Sequence, residues 1–208
     1  MSDPVDLYWD SCNFIRYLTG KPGEKCYDDL HQYVEETKGK NPRWKIHFST
    51  ITYTEIRPSF LKSGYGDIQS FFDDLGSAFL PIDPNPNILI AAGKLKDLKP
   101  SDKGNPKKYS TRVVGTPDAI HLETCMFLRD VLGCPKVIFQ SLDEGKGKTW
   151  EGKCVPLIGF EDWFPAHNRP PLAERIIKLK RDFPTHPQPV MAGIIQRAVP
   201  GASSGAVH

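Results

Sequence analysis

The chain has 208 residues, 39% of them hydrophobic, with 27 Lys and Arg against 25 Asp and Glu for a net charge of +2. Such a composition supports a packed core and excludes both a low-hydrophobicity disordered chain and a protein held to nucleic acid by overall charge, so any attraction to phosphate must be local. Five cysteines, an odd number without C-x-x-C spacing, argue against a zinc knuckle or a disulfide framework and for buried or incidental thiols. The first residues, MSDPVDLYWD, lack the basic and apolar regions of a signal peptide, and no apolar run approaches the ~20 residues of a membrane span, which fits a reducing cytoplasm.

Val5 to Trp9 is an apolar run that stops at Asp10 and reads as a strand. Asn13 to Leu18 begins a helix that ends before Gly20, and Tyr27 to Glu36 sets Leu30, Tyr33 and Val34 at helical spacing. After the turn-like Gly39 to Pro42, Trp44 to Ser49 alternates as a strand does. Thr50 or Thr52 offers an N-cap to a helix containing Glu55, which Pro58 interrupts because its ring clashes with the carbonyl one turn back. Asp67 to Leu75 is an amphipathic helix with Ile68, Phe71, Phe72 and Leu75 on one face. Ala78 to Ile82 reads as a strand, Asn87 to Leu98 as a helix, and Lys99 to Arg112 as a hydrophilic stretch. Pro117 suits a first helical position, so a helix is predicted from Asp118 to Leu132, stopped by Gly133. Val137 to Leu142 is a strand with Asp143 just past its end, and Val155 to Phe160 is a candidate for one more.

Helices alternate with strands, and the runs at 5–9 and 137–142 lack clean in-out alternation. That predicts an α/β three-layer sandwich with a mostly parallel central sheet, spanning residues 1–164. From Pro165 the character changes: seven of the 19 prolines fall in the last 44 residues, and the end, GASSGAVH, is small and featureless. Leu172 to Arg181 suits a short helix. The tail is expected to be partly ordered, wrapping the domain or docking a partner, with a disordered terminus.

In an open parallel sheet, ligands bind beyond the carboxyl ends of the strands. Asp10 and Asp143 each follow such an end, Asp118 opens a helix whose dipole favours its ionised form, and Glu55 could reach the same rim. Converging carboxylates repel, and some would take up protons unless a hard divalent cation such as Mg2+ or Mn2+ sat among them. A metal so held polarises a phosphodiester and activates water. Taken singly the residues read otherwise: an Asp after a strand is a turn or cap residue, Asp118 a helix-start carboxylate, and Glu55 an exposed helix residue.

Four segments together resemble the PIN domain family, the fold of VapC-type toxin ribonucleases. LYWDSCNFIRYL resembles its opening strand, acid and helix; STITYTEI its hydroxyl-rich turn and helical Glu. GTPDAIHLETCMFLRDVLG resembles the helix that begins with Asp, and VIFQSLDEG the strand ending in a hydroxyl residue, one spacer and Asp. The resemblance covers about residues 5 to 160. It implies Mg2+ or Mn2+ held by Asp10, Glu55, Asp118 and Asp143, with Ser141 and, more weakly, Ser11 in support. It further implies an RNA substrate, dimerisation, and a role as the toxin of a toxin–antitoxin pair, with an antitoxin protein as partner. Pro58 close behind Glu55, the long stretch before Asp118 and the Pro-rich tail depart from a compact toxin.

Between Lys94 and Arg112 seven basic residues face two acids, a local balance of +5. Lys94, Lys96, Lys107, Lys108 and Arg112 are therefore candidates for contact with the RNA backbone, with Lys99, Lys103 and Tyr109 beside them; a solvated loop is the plainer reading. His121, one turn after Asp118, reads first as a structural histidine. No nucleotide-cradling glycine motif occurs. Two other functions stay open: a PIN-like module that binds RNA or protein without turnover, and an aspartate-dependent phosphatase. The phosphatase would want a second Asp where Cys12 stands.

Overall fold

A computed structural model describes residues 4–61, 65–102, 105–145 and 153–187. Five parallel strands form the central sheet in the order β3-β2-β1-β6-β7: β1 (Val5–Trp9), β2 (Trp44–Ser49), β3 (Phe79–Ile82), β6 (Ile138–Gln140) and β7 (Arg181–Asp182). A separate antiparallel hairpin joins β4 (Ser101–Asp102) to β5 (Asn105–Tyr109). The helices are α1 (Ser11–Thr19), α2 (Tyr27–Thr37), α3 (Thr52–Glu55), α4 (Ile68–Leu75), α5 (Pro86–Lys96), α6 (Thr116–Asp130) and α7 (Pro171–Ile177).

Each face of the sheet is buried by its own apolar cluster, as a parallel sheet requires. On one face Leu7, Trp9, Ile46 and Phe48 pack with Phe14 and Leu18 of α1, Leu30 and Val34 of α2, and Phe71 and Phe72 of α4. On the other, Tyr8 and Phe139 pack with Ala92 and Leu95 of α5, Leu122 and Met126 of α6, and Ile176 of α7. The result is the three-layer α/β sandwich with a parallel sheet expected from the alternation of elements. Among the described residues no helix is long and apolar enough to cross a membrane.

Three expectations change. Val155 to Phe160 is not a strand: it makes only the isolated parallel bridge Val113–Cys154 at its start, and Phe160 opens a short 3-10 turn. The fifth strand instead comes from the tail, where Phe139 N–H donates to Lys180 O (2.9 Å) and Ser141 N–H to Asp182 O (3.1 Å). The hydrophilic stretch is no simple loop, because it supplies the β4–β5 hairpin. Finally, neither threonine caps α3: Ile51 occupies that position, and the Thr50 hydroxyl donates to Asp83 (2.8 Å).

The tail is tied to the body as far as residue 187. Arg175 of α7 pairs with the buried Glu123 of α6 at 3.1 Å, Tyr33 donates to Thr185 O at 2.9 Å, and His186 N–H donates to Asp29 at 2.9 Å. The terminus expected to be disordered lies outside the described residues.

Candidate functional site

Asp10 ends β1 and begins α1. Its backbone N–H bonds Gln140 O (3.4 Å), and its carboxylate accepts from Asn13 N–H (3.4 Å) as the N-cap of α1. Capping does not exhaust it. Ser141 Oγ donates to Oδ2 at 2.6 Å and the Cys12 thiol to Oδ1 at 2.7 Å. Asp10 is buried. Burial raises its pKa, the charge of Asp143 adds to that, and His121 and the two hydrogen bonds offset only part, leaving it at about 6.

Asp143 follows β6, and its loop is folded around its own carboxylate. Oδ1 accepts from Gly145 N–H (2.9 Å) and Oδ2 from Leu157 N–H (3.0 Å), while Ser141 Oγ takes the Asp143 N–H (2.9 Å). Ser141 thus bonds to both aspartates. Asp118 sits in the first turn of α6, close enough to Gly115 that a Cβ there would collide with its carboxylate. No hydrogen bond among the described residues ends on Asp118. Loss of solvent raises its pKa, then the charges of Asp143, Asp10 and Glu55, with His121 offsetting part, to about 7.

Glu55 ends the single turn of α3, which Pro58 stops from growing. Instead of projecting freely to the rim, its Oε2 accepts from Ser11 Oγ (2.5 Å) and His121 Nε2 (2.9 Å). Burial raises this carboxyl, but His121 and Ser11 outweigh it, so it stands below its ordinary value. His121, read first as a structural histidine, is a satisfied one whose partners include Glu55. It is buried on α6 with Nδ1 3.1 Å from Tyr8 Oη, an arrangement satisfied by a proton on Nε2 and the Tyr8 hydroxyl donating to Nδ1. Its spacing from Asp118 was the available signal; that the ring turns to Glu55 depends on where α3 ends. Cys12 was missed. Burial and then the Asp10 charge hold its thiol well above the ordinary value, so it remains a donor.

The four acids are therefore one electrostatic group, brought from β1, α3, α6 and the end of β6. They do not form a tight cage, since among the described residues no three of them place ligand atoms within 4.8 Å of one another. The donor set nevertheless fits a hard divalent cation: it is all oxygen, and its Asp118 carboxylate faces three others that His121 offsets only in part.

Of the basic residues, Arg112 approaches the loop that carries Asp143. Its guanidinium donates to Cys154 O (2.5 Å), stacks over Trp163 at 4.6 Å, and would lie 3.4 Å from a Cβ on Gly145, the residue that donates to Asp143. Lys94 and Lys96 are exposed in the last turn of α5, and Lys107, Lys108 and Tyr109 are exposed on β5. Lys103 lies outside the described residues. Neither a scan of protein-family models nor a search of curated proteins finds a match for this chain.

Proposed function

We propose that the protein is a cytoplasmic, Mg2+- or Mn2+-dependent endoribonuclease of PIN-like type. One observation carries the reading: four acids from remote segments couple at the carboxyl edge of a parallel sheet, and His121 offsets their mutual repulsion at Asp118 only in part. Asp10, Asp118 and Asp143 would hold the cation, with Glu55 as a ligand or as the group orienting water. Bound there, the metal would supply charge neutralisation at the phosphodiester and a more acidic water. The protein's own part is positional. Ser141 and Cys12 orient Asp10, two backbone N–H groups orient Asp143, and Ser11 with His121 orients Glu55. Arg112, stacked on Trp163, is placed to draw a phosphate toward Asp143, with Lys94, Lys96, Lys107 and Lys108 as outer contacts to the RNA backbone.

Purified protein should cleave RNA with Mn2+ or Mg2+, lose the activity with chelator, and lose it on Asp118→Asn. Turnover of a phosphomonoester instead would replace this reading with the phosphatase. Divalent binding without cleavage would leave a non-catalytic RNA-binding or protein-docking module, and calorimetry without divalent binding would end the metallonuclease idea. The biological setting we propose is a toxin, acting as a homodimer and restrained by an antitoxin protein; a short DNA-binding protein encoded immediately upstream would support it.

A further inference from the structure

At the opposite, amino-terminal edge of the sheet lies a second set of ligand-type side chains, which the nuclease reading does not use. Asp6 is the second residue of β1, His47 stands on β2, and Cys134 lies in the turn between α6 and β6. One ligand atom from each falls within 4.8 Å of the other two, and Asp6 Oδ1 is 2.8 Å from His47 Nε2. Four residues of extended strand, about 13 Å, separate Asp6 from Asp10.

Local structure explains why three distant segments meet there. His47 is in register with Tyr8, so both side chains face α6, and Asp6, two residues before Tyr8, shares that face. At the end of α6 the N–H groups of Val131 and Leu132 both reach Phe127 O (2.9 and 3.1 Å), and Gly133 takes the left-handed φ of +80°. That residue turns the chain so that Cys134 N–H bonds Leu128 O (3.2 Å), while Cys134 O accepts from Val137 N–H (3.1 Å). The thiol is thus set by backbone geometry over the start of β1 and β2.

We infer that Asp6, His47 and Cys134 form a zinc site with a fourth position open to solvent, fastening the α6–β6 turn to the two central strands. Oxygen, nitrogen and sulfur together suit borderline Zn2+ and are a poor set for Mg2+ or Mn2+. At ordinary zinc–ligand distances, tetrahedral donors stand about 3.3–3.8 Å apart, inside the observed limit. His47 is buried while Asp6 and Cys134 are partly exposed, which leaves a path for the ion and room for a water. Binding forms a zinc–sulfur bond and releases the thiol proton to solvent. The C-x-x-C and H-x-x-x-H spacings sought in sequence cannot reveal such a site, because each ligand comes from a different element.

The test uses the full chain, reduced and stripped of metal, titrated with Co2+ as a spectroscopic substitute and then with Zn2+. A thiolate-to-cobalt charge-transfer band should appear, and one equivalent of Zn2+ should displace it. The band should persist in Cys12→Ser and Asp118→Asn and vanish in Cys134→Ser. Zinc affinity should fall at least about tenfold in Cys134→Ser and in Asp6→Asn. Circular dichroism checks folding; if Cys134→Ser does not fold, zinc titrations of Asp6→Asn and His47→Gln decide. No band in the wild type, a band that survives Cys134→Ser, or unchanged zinc affinity in the Asp6 and His47 variants overturns the site. Loss of the band in Asp118→Asn would assign the cobalt to the carboxylates instead. Because Asp118→Asn removes the proposed nuclease chemistry, failure of that function leaves the zinc result standing.

Discussion

Asp118→Asn should do two opposed things, and together they test why this carboxylate is where it is. The substitution keeps the shape and removes the charge. In the folded protein Asp118 titrates at about 7 rather than near 3.8, because it is partly buried and faces Asp143, Asp10 and Glu55, which His121 offsets only in part. A folded-state pKa raised above the unfolded one makes an acid destabilising once pH exceeds the unfolded value. The penalty is absent below about pH 4, grows between 4 and 7, and is full above 7. About three pH units at about 1.4 kcal/mol each set a ceiling of about 4 kcal/mol. In chelator at pH 8, Asp118→Asn should therefore melt above the wild type, by roughly 2–4 °C per kcal/mol recovered, and the difference should vanish near pH 4. With Mn2+ the order should reverse, since the ion stabilises only a protein that still binds it. Thermal melts at the two pH values, with chelator and with Mn2+, make the measurement. If the variant melts below the wild type at pH 8 in chelator, the residual repulsion at Asp118 is not real; if Mn2+ stabilises both equally, Asp118 is not a ligand.

Three further outcomes follow from the geometry. Ser141→Ala removes a donor from Asp10 and an acceptor from Asp143 N–H, so it should cost about 1–3 kcal/mol by urea unfolding and weaken Mn2+ binding about 10–100-fold by calorimetry. Gly115→Ala puts a methyl against the Asp118 carboxylate and should cut RNA cleavage without unfolding the protein, checked by activity beside circular dichroism. Arg112→Ala should raise KM more than it lowers kcat, and reduce the slope of log affinity against log salt by about 0.7, the share of one phosphate contact on single-stranded RNA.

The sheet's centre was legible because its signals are local. Val5–Trp9 and Trp44–Ser49 are apolar runs closed by polar residues, and the structure keeps both ranges as read. Strand β7 was not, since a two-residue strand has no periodicity and exists only because β6 offers it an open edge. Among the acids, Asp10 and Asp143 were visible as residues following strands, and Asp118 as a helix start. The environment of Glu55 was not, because the side chains that meet it, Ser11 and His121, come from 44 and 66 residues away. A buried His121 touching Glu55, Ser11 and Tyr8 reads in sequence like any histidine on a core-facing helix.

Strand β7 gives the molecule a built-in order of events. The backbone of β6, from Phe139 to the Ser141 that grips both aspartates, is held from its outer side by Lys180 and Asp182. During synthesis that flank stays bare until residue 182 has left the ribosome, after every other strand and helix of the described fold. A nascent chain therefore carries the acids before it can brace them, and the grip of Ser141 on the two aspartates is completed by the last strand of the described fold.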